Sequence, residues 1–169
     1  MEVKELIVRS LEQSQRYLTN ALDGLTQEEA AWSPTPECNS IAFTLWHTVR
    51  VEDRNINRVI QNLTELYEAE GWQEKLGTPA QESGGRYTLE QLQAWPVPKL
   101  ETTQEYAKSV REKTLAFLES VTPEKLAEVP SPERPSDSVA AILGRISTEI
   151  AMHVGQIAYL RGIKRGLNK

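Results

Sequence analysis

The chain has only two histidines, His47 and His153, and the second lies four residues after a glutamate, Glu149. Side chains four apart on an α-helix leave the same face one turn apart, so Glu149 and His153 can reach a single ion. Their surroundings keep a spacing of three and four: Val139, Ile142, Ile146, Glu149, His153, Gln156, Leu160, Ile163. The stripe is aliphatic at both ends and polar in the middle. A carboxylate on such a stripe is costly to bury unless it is paired, protonated or bound to a metal. His47 belongs to another periodic segment, Ile41, Leu45, Thr48, Glu52, Ile56, Val59 and Leu63. It lies one step beside that stripe, with Thr44 and Val51 on its own face, at the edge of an expected core. Two imidazoles and a carboxylate suit zinc, nickel, iron or manganese. Three protein ligands also leave coordination positions open, the pattern of a catalytic ion. The same residues admit a plainer arrangement. The histidines would then be satisfied core residues, and Glu149 would pair with Arg50, Arg54 or Arg145. Spacing alone leaves both standing.

The elements that must position these residues are helices. Val3 to Leu22 carries two neighbouring stripes, one through Leu6, Gln13, Tyr17 and Leu25, the other through Ile7, Leu11, Leu18 and Leu22. Asp23-Gly24 is a fitting stop. Thr26 to Glu29 forms a capping box over a short turn, closed by Pro34 and Pro36. The second helix is expected from about Asn39 to Glu68, capped by Asn39 or Ser40. Gly71 to Gly85 reads as a long loop. Thr88 to Gln91 is a second capping box, opening a short helix to about Ala94. Pro96 and Pro98 interrupt the chain there. A long helix follows from about Lys99 to Ser120, buried through Tyr106, Val110, Thr114, Phe117 and Val121. Thr122-Pro123 starts a further turn. The fourth long helix is expected from Ser136 or Asp137 to about Lys164, with Gly166 as its stop. Alternating strand patterns are almost absent, so the fold class is all-α, a four-helix bundle in a single domain spanning residues 1–169.

Composition narrows the function. The formal net charge is −5, with 39% hydrophobic and 25% charged residues. A mildly acidic chain is drawn weakly to phosphate backbones, so nucleic acid is not an expected partner. Arg161, Lys164, Arg165 and Lys169 cluster near the C-terminus, where cations suit the negative end of a helix dipole. The single cysteine, Cys38, cannot form an internal disulfide and reads as a plain small residue before a helix. No signal peptide and no membrane-spanning apolar run are visible, so the expected location is cytoplasmic. Trp46 is expected in the core or at a dimer contact, and Trp72 and Trp95 at the rim of a substrate site.

Two segments carry a resemblance. Asn39-Ser-Ile-Ala-Phe-Thr-Leu-Trp-His47-Thr-Val-Arg-Val-Glu52-Asp-Arg is similar to the second helix of the DinB-like, or YfiT-like, superfamily of metal-dependent hydrolases. Glu149-Ile-Ala-Met-His153-Val-Gly-Gln156-Ile-Ala-Tyr-Leu-Arg161-Gly162 is similar to the fourth. The resemblance implies an up-up-down-down bundle, with the long second loop as its crossover. In that family three histidines commonly hold a divalent metal. His47 matches the one on the second helix, and His153 the latter of two on the fourth. The former of those two falls on Glu149, a departure from the pattern. Glutamate is itself a ligand and would partly neutralise the cation, but the change also fits a weakened or lost site. Glu52 would either orient an imidazole from the second shell or form a salt bridge to a neighbouring helix. Gln156 would bond a neighbouring helix.

Some relatives are transferases or isomerases that use a low-molecular-weight thiol. An open metal site makes a nucleophile of bound thiol or water at neutral pH. The resemblance therefore implies a metal-dependent hydrolase or thiol S-transferase acting on a small-molecule substrate, and a homodimer. No side chain stands out as a general base. The competing expectation is a non-enzymatic, stress-associated dimeric bundle whose metal site is structural, sensing or decayed.

Overall fold

The computed structural model describes residues 3–80 and 83–166. Nine α-helices lie among those residues: α1 (Val3–Leu22), α2 (Gln27–Ala31), α3 (Ile41–Asp53), α4 (Leu66–Ala69), α5 (Trp72–Leu76), α6 (Leu89–Ala94), α7 (Leu100–Ser120), α8 (Pro123–Ala127) and α9 (Val139–Arg165). No strand occurs among the described residues. Side-chain caps fix several starts, because the first backbone N–H groups of a helix have no partner within it. Thr26 and Thr88 form the two expected capping boxes. The Ser40 hydroxyl accepts from the Phe43 N–H at 3.1 Å and opens α3. Ser138 does the same for α9, so that helix begins later than Ser136 or Asp137. Asp137 is engaged instead by the Arg145 guanidinium at 3.2 Å.

The second helix departs most from expectation. After Asp53 it widens into a π-helical stretch, Arg54–Ile60, and ends there rather than at Glu68. Asp53 explains the break. Its side chain is fully buried and accepts from the Asn57 amide at 2.7 Å, Tyr106 hydroxyl at 2.6 Å, and backbone N–H groups of Leu66 and Tyr67 at 3.0 and 2.9 Å. Binding the last two folds the chain back on itself, and α4 forms as a separate turn. The expected loop after Gly71 holds α5, whose Trp72 and Leu76 are buried.

The four long helices pack in a ring: α1 against α9 and α7, and α3 against the same two. On α1 the buried side is Ile7, Leu11, Ser14, Leu18, Ala21 and Leu22, while Leu6 and Tyr17 face solvent. On α9 the buried residues are Val139, Ile142, Leu143, Ile146, Ile150, Val154 and Ile157. At 3.6 residues per turn the core face drifts along a long helix. Beyond Ile146 it passes to Ile150, Val154 and Ile157, leaving Glu149 and His153 half-buried at its edge and Gln156 exposed. Among the described residues, no helix is long and apolar enough to cross a membrane.

Candidate metal centre

Helix α3 delivers His47 and α9 delivers Glu149 and His153. The structure brings these three together, with one ligand atom from each within 4.8 Å of the others. Glu149 Oε1 lies 3.8 Å from His47 Nε2 and 3.9 Å from His153 Nε2. The two imidazoles meet edge to face, with ring centroids 4.9 Å apart. Donors around a tetrahedral zinc at ~2.1 Å stand about 3.4 Å from one another. The two glutamate–imidazole distances exceed this by about 0.4–0.5 Å.

Hydrogen bonds fix which nitrogen of each ring is free. His47 Nδ1 meets the Ser83 carbonyl oxygen, and His153 Nδ1 meets Gln156 Oε1 at 2.8 Å. Both oxygens are acceptors, so each Nδ1 carries a proton, and in the neutral ring Nε2 then keeps its lone pair. Burial pushes His47 below its ordinary value of 6.5, while the bond to Ser83 pulls the other way. Neutral imidazole is the ligating form. His153 Nε2 is buried and has no hydrogen-bond partner among the described residues. With both rings neutral, two imidazole lone pairs thus converge on a carboxylate oxygen. Such a set of acceptors is unfavourable when empty and matches what a divalent cation requires, so the residues present fit the ion.

Among the described residues, Glu149 forms no ion pair with any of the three arginines. Arg50 binds Glu65 at 2.6 Å, Arg145 binds Asp137, and Arg54 is exposed. Glu52 takes the second of its two expected roles. Arg111 holds its carboxylate with two 2.8 Å bonds and also donates to the Leu11 carbonyl, which ties α3, α7 and α1. Gln156 bonds His153 on its own helix rather than a neighbour, a role that its i+3 spacing could have suggested. Ser83 left no signal in the sequence, because it acts through its backbone carbonyl. Trp46 is fully buried, as expected. Trp72 and Trp95 are not rim residues: both are buried, Trp72 beside Tyr106 and Trp95 against Phe43 and Trp46.

Comparison with known proteins bears on the same helices. The family model of the DinB superfamily matches residues 10–157, a span that includes all three candidate ligands. The chain belongs to the DinB superfamily. No curated protein matches this DinB-superfamily chain. A crystal structure of a conserved protein from Enterococcus faecalis is similar in fold, with a TM-score of 0.86 and 23% sequence identity. The match covers 96% of this chain and 97% of that one.

Proposed function

We propose that this DinB-superfamily protein holds one divalent cation through His47 Nε2, the Glu149 carboxylate and His153 Nε2, and works as a metal-dependent hydrolase or thiol S-transferase on a small molecule. The observation that carries this reading is the buried, unpartnered His153 Nε2 facing Glu149. When bound, an ion of the zinc, nickel, iron or manganese class would lower the pKa of a water or low-molecular-weight thiol in an open coordination position. The chain's own part is to present the ligands. The Ser83 carbonyl and the Gln156 amide hold a proton on each Nδ1 and leave both Nε2 atoms bare. Phe43 lies parallel to the His47 ring, with centroids 6.4 Å apart, and walls one side. The Glu149 side chain is 31% exposed, against 14% and 12% for the two histidines, so the reading has solvent and substrate approach from the glutamate side.

Elemental analysis of untagged protein, purified without chelators, tests this reading. The expected result is one metal ion per chain, lost in His47→Ala, Glu149→Ala and His153→Ala. A metal-free wild type that stays so after adding zinc, nickel or manganese would remove the proposal. A second reading draws on Glu149 standing where the family pattern has histidine: a bound ion that serves stability or sensing without turnover. Full metal content with no hydrolase or thiol-transfer activity across a substrate panel would favour it.

A further inference from the structure

Residues 83–87 approach His47 from outside both long helices that carry the ligands. Gly84 has φ +83°, in the left-handed region where glycine is favoured. Space restricts the position as well. A Cβ at Gly84 would stand 2.9 Å from Phe43 Cζ, 2.9 Å from Trp46 Cζ3 and 3.3 Å from His47 Nδ1. The Phe43 and Trp46 rings are almost completely buried. They pack on one another at 5.7 Å between centroids and on Trp95 at 5.0 and 5.3 Å. Interiors of this density do not yield easily, so the backbone would have to move. Tyr87 anchors the far end of the segment, edge-on to Phe43 at 5.4 Å.

We propose that Ser83 and Gly84 form a positioning clamp for His47, in which the absent side chain at Gly84 lets the Ser83 carbonyl reach Nδ1 and hold Nε2 bare for the ion. This rests on the metal reading above. Without the clamp the ring is free to take the other tautomer. Its Nε2–H then points toward Glu149, and the lone pair moves to Nδ1, on the side away from the ion. Gly85 provides the contrast within the same segment: a Cβ there meets nothing within 4 Å.

The test compares wild type with Gly84→Ala and Gly85→Ala by two readouts. Zinc affinity is measured by competition with a chromophoric chelator. The His47 tautomer is read from its ring ¹⁵N shifts in metal-free protein. The clamp predicts Nδ1-protonated His47 in the wild type and Gly85→Ala, and loss of that state in Gly84→Ala. Zinc affinity should fall about 10- to 100-fold in Gly84→Ala and stay within about twofold in Gly85→Ala. Equal affinities and tautomers in all three proteins, or an equal loss in both variants, would overturn it. A wild type that binds no zinc would sink the metal reading, while the ring shifts would still decide the clamp. If Gly84→Ala fails to fold, a wild-type His47 carrying its proton on Nε2 is sufficient to reject the clamp.

Discussion

Glu52 and Glu149 interrupt the apolar periodicity of their helices in the same way, yet their surroundings are opposite. Glu52 is buried to 3% exposure and meets a guanidinium fork that matches both its oxygens. Glu149, one third exposed, meets two imidazole nitrogens that offer lone pairs rather than protons. The first carboxylate is paired inside the protein, and its pairing joins three helices. The second faces other acceptors, so a cation from outside is the group that would complete it. A carboxylate on an apolar stripe therefore signals chemistry only when its partners are known. The groups around Asp53 are a second instance of the closed kind, with four donors supplied by side chains and backbone.

The comparison breaks most readily at Glu52. Removing one partner of a buried ion pair leaves the other charge unpaired, so Glu52→Ala should cost about 3–5 kcal/mol of stability, read by urea unfolding. Glu149→Ala in metal-free protein should cost less than about 0.5 kcal/mol, because it removes one of three mutually unfavourable acceptors. Equal losses in the two variants would erase the distinction. With a saturating metal present, wild type should gain stability by mass action and Glu149→Ala should not.

A smaller effect is expected at the Asp53 cluster. Tyr106 is completely buried and donates to Asp53 at 2.6 Å. Tyr106→Phe should cost about 1–3 kcal/mol, the penalty for an acceptor that loses its donor. Metal content should not change. A loss of metal in this variant would mean that the two polar regions are coupled.

The smallest effect belongs to a third carboxylate, Glu29, near the surface. Arg165 reaches it through two bonds of 2.6 and 2.7 Å and, with the Thr26 backbone N–H, holds it at about 2, below its ordinary 4.5. A carboxyl whose folded value is depressed contributes stability in full above its unfolded value. That contribution is lost as pH falls from about 4.5 toward 2. Glu29→Gln should flatten this part of the acid limb slightly, and added salt should shrink the difference. An acid limb unchanged by the substitution would show that Arg165 contributes nothing measurable there.

The sequence made the long helices legible because periodicity, caps and glycine stops act within a few residues. Thr26, Thr88, Ser40 and Gly166 all mark ends where the structure has them. The break at Ile60 was not legible, because it depends on Asp53 binding N–H groups far along the chain. Trp72 and Trp95 lie outside long periodic segments, so nothing local announced their burial. On α9 the polar stripe was visible, but the drift of the core face moved it from the centre to the edge. The pairing of Glu149 with His153 came from helical spacing. Grouping His47 with them rested on its being the other histidine, placed at the edge of its own stripe, and the family resemblance strengthened it, since spacing carries no information between helices. The Ser83 carbonyl was out of reach of any argument from residue types.

The central claim is that the two Nε2 atoms and the Glu149 carboxylate meet on one ion. X-ray absorption of the zinc-loaded protein tests it most directly. The account predicts two imidazole nitrogens at about 2.0–2.1 Å and a carboxylate oxygen at about 2.0–2.2 Å, with the imidazole signal reduced in His47→Ala and in His153→Ala. A shell of oxygens with no imidazole scattering, or one unchanged by both substitutions, would contradict it.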